Sequence, residues 1–458
     1  MRDERFPAER LLQAIWRHQR LRRDRLQTAD GRVVRVFHPG FSSAEGGPDF
    51  RAAVLQIGAD PPQSGDVEID LQTSGWRAHG HDRNSRFKNV LLQVVWDHAA
   101  SSAPPADGLP PVLALKNFLD SSLEQLSRSL EEDPPSVLPE PWRGKCRAPL
   151  AQLDLPRREQ LLGAAAWVRF ENKAALFRIR AKDAGWEQAL WEGLFRALGY
   201  KHNAWPMQAL AEIKPRWSPP AGSAFVFQAR LLGLSGLLPA ELPSSKTGGQ
   251  PHLRRLWDFW WRERDQFATL SLPRPAWKLY GLRPANHPQR RLALASHWLA
   301  DRDFVSKIEA WADPRFAENL SHSLHTLLQP AADDFWSWHW TFRSARLPAP
   351  QPLLGAARVT DLAVNVILPW LWIRAVEGKN EPLQREIERR YKSWSAAEDN
   401  AILKLARQRL LGLSNPRATK TAAAQQGLMQ IVRDFCSHSN ALCENCLFPE
   451  LAAEFGTF

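Results

Sequence analysis

Cysteine is scarce in this chain, four among 458 residues, too few for the disulfide framework of a small secreted scaffold. Long apolar runs are scarce too. The longest, "LAVNVILPWLWI" from Leu362 to Ile373, has 12 residues and is interrupted by Asn365 and Pro369, whereas a membrane-spanning helix needs about 20. The first residues, "MRDERFPAERLL", scatter charge among their apolar positions and so lack the unbroken apolar segment of a secretory signal. No exact internal repeat is present. The expectation is a cytoplasmic protein without a membrane segment.

What is abundant is aromatic and basic. Hydrophobic residues at 44% and charged residues at 24%, with 21 Trp and 21 Phe, place the chain among globular proteins with large packed surfaces. Its length allows two or three domains. The net charge of +11 and a pI near 9.8 favour a polyanionic partner, because Lys and Arg facing phosphates release condensed counterions. Arg outnumbers Lys. That bias suits bidentate phosphate contacts, and a GC-rich genome produces it equally well.

The first segment, "PAERLLQAIWRHQRLRRDR", spaces Leu11, Leu12, Ile15 and Trp16 along one face of a basic amphipathic helix. β-rich runs follow: "RVVRVF" near 32–37, "FRAAVLQI" near 50–57, "DVEIDL" near 66–71, "NVLLQVVW" near 89–96 and "PVLAL" near 111–115. The polar "TSGWRAHGHDRNSRFK" between the third and fourth reads as a connecting loop or short helix. Two Pro-rich patches between 101 and 145 flank one helical stretch and mark a domain boundary. Beyond them helical periodicity dominates, in "REQLLGAAAWVRFENKAALFRIRAK", "WEQALWEGLFRALGY" and "LQREIERRYKSW". The predicted organisation is an α+β domain over 1–118, a Pro-rich linker region over 119–145, and a large, mostly α-helical domain over 146–458. Within the last, "WSAAEDNAILKLARQ" opens like a Myb-type helix without the later spaced aromatics, and reads as a helix start capped by Ser395 and Glu398.

The stretch "EGGPDFRAAVLQIGADPPQSGDVEIDLQ" places Asp49 at the head of one strand and Glu68 and Asp70 inside the next. Alternate strand residues share a face, so Glu68 and Asp70 point together while Val67, Ile69 and Leu71 face the other way. With the chain returned antiparallel by "PPQSG", Asp49 approaches Glu68. Converging carboxylates hold divalent cations such as Mg²⁺ or Mn²⁺, which activate an attacking water in phosphodiester hydrolysis. His79, His81 and Asp82 in "RAHGHD" add ligand or proton-shuttling capacity next to that strand. The plainer alternative is a turn residue at Asp49 and a half-exposed strand face at Glu68 and Asp70.

"GPDF", a strand, a turn and "GDVEID" resemble the PD-(D/E)XK nuclease core, in which an Asp opens one strand and a Glu with a Lys two residues on lies on the next. The whole chain resembles the bacterial domain of unknown function 2851 family, in "LLQAIWRH", "GPDFRAAVLQIG", "GDVEID", "HGHD", "NVLLQVVW", "NVILPWLW" and the terminal cysteines. That family carries no assigned activity. The chain has Asp70 where the nuclease pattern has Lys, and Asp70 and Gln93 where the family resemblance implies His. His79, Arg77 or Lys88 is left to supply the missing positive charge.

Cys436, Cys443 and Cys446 fall within eleven residues, and Cys146 stands apart. Clustered thiols in a cysteine-poor cytoplasmic chain point to a structural Zn²⁺ site or a 4Fe–4S cluster, with Cys146 or His438 as the fourth ligand. The arrangement partly resembles nucleases of the same superfamily that are stapled by an iron–sulfur cluster. Three functions are open: a Mg²⁺- or Mn²⁺-dependent nuclease using Asp49, Glu68 and Asp70; a catalytically inactive nucleic-acid-binding or scaffolding protein on a degenerate nuclease fold; and a hydrolase of another phosphoester using His79 and His81.

Overall fold

Helix α1, Glu9–His18, carries Leu12, Ile15 and Trp16 one turn apart and buries all three completely. Truncating any one to alanine would cost about 2–5 kcal/mol through lost transfer energy and the cavity left behind. Gln19 ends the helix in the left-handed region, φ 50°, and its N–H donates to the Ile15 and Trp16 carbonyls. The structure is a computed structural model that describes residues 7–43, 47–98, 108–131, 145–200, 202–219, 221–242, 251–313, 319–398, 400–411, 419–436 and 446–455. Two compact units divide the chain: Met1–Leu161 with Asp399–Ala418 and Leu428–Phe458, and Leu162–Glu398 with Thr419–Gly427.

The first unit is built on a mixed sheet of β1, Val34–His38, β2, Phe41–Ser42, β3, Phe50–Ile57, β4, Gln63–Gln72, β5, Val90–Asp97, and β6, Val112–Ala114. Its order is β1-β3-β4-β5-β6, with β2 pairing β3. Strands β1, β3 and β4 form an antiparallel meander, and β5 then pairs parallel to β4, and β6 parallel to β5. A parallel partner requires the chain to cross back. Residues 73–89 do this through the short turn α2, Gly75–Ala78, and two 3₁₀ turns. Alternation sorts the strands: Ala53, Leu55, Val67, Ile69, Leu92 and Val94 join the α1 side chains in one apolar core, and Glu68, Asp70 and Gln93 take the other face. Helix α3, Leu123–Glu131, packs on α1 and adds Leu126 to that core.

The second unit is helical. Helices α4, Arg147–Gln152, in the first unit, and α5, Leu155–Ala184, follow in sequence; α6, Trp186–Leu198, and α7, Ala204–Glu212, come next. Ala166 and Phe170 of α5 join one large core with Leu194, Leu210, Leu292, Ile367 and Trp370. Tryptophan suits such a core only when its N–H finds an acceptor. Trp217, Trp298 and Trp370 donate to the carbonyls of Leu210, Leu328 and Trp186 at 3.0, 2.8 and 2.9 Å. The helical stretch Ala356–Glu377 is long and apolar enough to cross a membrane by length and composition, and 78% of its apolar window is buried inside the protein.

The helix expected to start at Ser395 starts later. Asn400 caps it, its side chain accepting from the Leu403 N–H at 2.8 Å, and the helix runs Ala401–Ala406. Ser395 instead forms an isolated antiparallel bridge with Thr421.

Candidate metal centre

Strand β4 brings Glu68 and Asp70 to the face opposite α1, and each is nearly enclosed, at 7% and 2% exposure. Asp49, at the head of β3, meets them as the antiparallel return requires. Its N–H donates to Glu68 Oε2 at 3.0 Å, and its own Oδ2 accepts from the Ile69 N–H at 3.1 Å. Asp70 Oδ1 lies 3.2 Å from His79 Nδ1, and its Oδ2 accepts from Gln93 Nε2 at 2.7 Å. Gly75 makes room for that carboxylate: a Cβ on it would meet Asp70 Oδ1 at 2.5 Å.

His81 completes the group. Its ring stacks on Phe87 at 3.9 Å and takes the edge of Trp76 at 5.4 Å, which aims Nδ1 to within 3.5 Å of Glu68 Oε1. That nitrogen is buried and has no hydrogen-bond partner among the described residues. Glu68, Asp70 and His81 each offer a ligand atom within 4.8 Å of the others, and no other such group occurs among the described residues.

A family model described as a protein of unknown function (DUF2851) matches residues 9–401. The chain belongs to the DUF2851 family. No curated protein and no solved structure matches it. In this DUF2851 chain the matched span holds Asp49, Glu68, Asp70, His79, His81 and Cys146, whereas Cys436, Cys443 and Cys446 lie beyond it.

Electrostatics mark the same spot. Burial, the neighbouring Asp49 charge and that of Asp70 push the Glu68 carboxyl up to about 8, although the Asp49 N–H partly offsets them. Asp49 itself is raised to about 6 by burial, against the donors Ile69 and Gln13. Burial holds the His81 imidazole below its ordinary value, so the ring is neutral and its lone pair is available to a metal. Two buried carboxylates and a neutral imidazole, one nitrogen unpartnered, fit a divalent cation; imidazole beside carboxylate suits Mn²⁺ better than Mg²⁺.

Asp49, Glu68, Asp70, His79 and His81 meet here, with His79 at the rim, 59% exposed, while Asp82 lies within 3.8 Å of Arg83 instead. Of the groups expected to replace the missing lysine, His79 alone bonds these carboxylates among the described residues. Sequence reading left out Gln13, which donates to Asp49 Oδ1 at 3.1 Å, and the Trp76–Phe87 wall. Gln93 was named there only for its departure from the family, although one amide inside the apolar run "LLQVVW" is a legible sign of a buried polar partner.

Cys146 is buried just before α4, which packs against the helix Phe448–Glu454. Phe435, beside Cys436, meets Phe448 at 4.9 Å. Cys443 and His438 lie outside the described residues. Among the described residues Cys146, Cys436 and Cys446 form no disulfide with one another, and no cysteine metal site is seen.

Proposed function

We propose that this chain is a divalent-metal-dependent nuclease-like phosphodiesterase, on a PD-(D/E)XK-type core, that acts on nucleic acid. The observation that carries the reading is the buried Glu68–Asp70–His81 group with its unpartnered imidazole nitrogen beside Asp49. The meander followed by a parallel crossover strand, and the net charge of +11, agree with it.

Glu68, Asp70 and His81 would hold Mn²⁺ or Mg²⁺. Such an ion, when bound, acidifies a water and polarises a phosphoryl oxygen. The chain's own residues supply the rest. Asp49 pins Glu68 through its backbone N–H, and Gln93 and Gly75 fix Asp70. His79, tethered to Asp70 through one ring nitrogen, has no partner on the other among the described residues and would take up the proton of an attacking water there. The zinc or 4Fe–4S reading of the cysteines rests on their sequence spacing, and iron, sulfide and zinc analysis of the purified protein decides it.

The second reading is an inactive nucleic-acid binder on the same core, favoured by Asp70 standing where a lysine would stabilise developing negative charge. The two part on Glu68→Gln, assayed on single- and double-stranded DNA with Mn²⁺. Loss of cleavage by about 1,000-fold, equivalent to about 4 kcal/mol, with the fold kept, supports the enzyme. Salt-sensitive binding with no cleavage by either form supports the binder.

A further inference from the structure

His81 has a second side. Its ring also lines a cleft of about 710 Å³, whose walls include Trp76, Phe87, Arg32, Arg83 and Lys88. The indole N–H of Trp76, a residue only 6% exposed, has no acceptor among the described residues. Trp76 Nε1 is thus a buried, unpartnered donor on a residue that lines the cleft, and His81, which shares that wall, turns Nδ1 toward Glu68 and so joins the cleft to the carboxylates. A buried N–H left unpaired costs about 1–3 kcal/mol, and an acceptor brought in by a ligand removes that cost.

The rim mixes charges, and two of its cations are loosely held. Arg83, 91% exposed, has only a loose partner in Asp82 at 3.8 Å, and Lys88 forms no ion pair among the described residues. Arg32 is neutralised by Asp30 at 2.7 Å, and Asp60 and Asp82 also face the cleft. The volume falls within the range of single-ligand pockets, about 300–1,000 Å³, enough for one or two nucleotides and too small for a duplex. Aromatic walls beside loosely held cations suit unpaired bases with their phosphates.

We infer that this cleft receives an unpaired nucleotide of the substrate strand next to the scissile phosphate, with Arg83 and Lys88 holding its backbone and Trp76 and His81 forming its inner wall. The inference rests on the metal-centre reading and adds to it a substrate class: single-stranded polynucleotide.

The test is fluorescence anisotropy with a labelled oligothymidylate and a duplex of equal length, at low salt without divalent metal, on the wild-type chain and on Arg83→Ala/Lys88→Ala. Both side chains are exposed, so the variant should keep its thermal melt. The expected result is a preference of about tenfold or more for the single strand, weakened about tenfold by the double substitution, with the salt slope reduced by about 1.4 for two phosphate contacts. Unchanged affinity in the variant overturns the inference. So does thymidine monophosphate competing as well as the oligomer, which would make the cleft a small-phosphoester site. Mn²⁺ binding followed by electron paramagnetic resonance separates the two levels. Oligomer binding that needs Arg83 and Lys88 in a protein that takes up no Mn²⁺ sinks the metal reading alone, and Mn²⁺ bound through Glu68 with no effect of the double variant sinks the cleft alone.

Discussion

Glu68 in the first unit and Asp333 in the second each leave 7% of their surface exposed, yet their carboxyls move in opposite directions. Burial alone would raise Asp333, but it accepts from His297 Nε2 at 2.8 Å, from the Trp336 and Phe335 N–H groups at 2.7 and 2.9 Å and from Gln228 Nε2 at 2.8 Å, and these hold it at about 2. Glu68 has the Asp49 N–H, a neutral His81 that does not bond it, and the like charges of Asp49, Asp70 and Glu9 nearby. Depth of burial therefore does not separate them; the count of donors and the sign of the neighbours do. Asp333 is a completed structural joint. Glu68 belongs to a site whose balance lacks a positive charge, the condition that binding a cation meets.

The widest gap between them should appear in stability. Asp333→Ala strips the acceptor from two backbone N–H groups, an amide and an imidazole, and should cost the second unit about 3 kcal/mol or more. Glu68→Gln, which replaces a carboxyl that is mostly protonated at neutral pH by a neutral group of nearly the same shape, should cost the metal-free protein less than about 1 kcal/mol. Urea unfolding of both variants checks the contrast. Equal costs would mean that Glu68 is as structural as Asp333, and the case for a metal centre would weaken.

A smaller effect follows from pH. Asp333 has a depressed value, so its contribution is present above the ordinary carboxylate value of 3.8 and is lost as pH falls toward about 2, up to about 2 kcal/mol. Glu68 has a raised value, so the stability it favours is present below 4.5 and is lost as pH rises through about 8. The metal-free protein should thus weaken at both ends of the scale for two different reasons. Thermal melts across pH should show Asp333→Asn flattening the acid limb and Glu68→Gln, or added Mn²⁺, flattening the other. A single variant flattening both limbs would break the comparison.

Much of the first unit was legible because period-2 alternation needs no tertiary information: Val67 and Ile69 against Glu68 and Asp70 fix both the core face and the site face of β4. The antiparallel return that seats Asp49 against Glu68 followed from one turn. His81 shows the limit. Its role depends on Phe87 and Trp76 closing around it, through a connection of short turns with no periodicity to read. Gln13 meets Asp49 across 36 residues of chain, and Asp333 draws Gln228 and His297 from helices far away in sequence; such partners follow from packing that local pattern does not encode. The misplaced helix start has the same cause, since the Ser395 and Glu398 spacing fits a capping box while the bridge to Thr421 keeps that segment extended.

The smallest effect is expected at a third carboxylate, and it isolates the variable. Asp97 ends β5, the strand that carries Gln93, and accepts from Lys116 Nζ at 2.9 Å, but the two side chains are 44% and 53% exposed. Water and salt already satisfy most of what the pair offers, so the contact is worth about 0–1 kcal/mol and fades with ionic strength. Asp97→Ala, unfolded in urea at low and high salt, should differ from wild type by less than about 1 kcal/mol at low salt and not at all at high salt. Asp97 has a cationic partner at 2.9 Å, within the 2.7–2.9 Å span of the contacts that Asp333 makes, so contact distance alone would rank the two nearly alike. A cost near that of Asp333→Ala would show that pairing sets the energy wherever it occurs. A negligible cost would show that a partner matters in proportion to the water it replaces, which is the property that makes an unpartnered nitrogen beside Glu68 informative and an exposed ion pair on the same sheet uninformative.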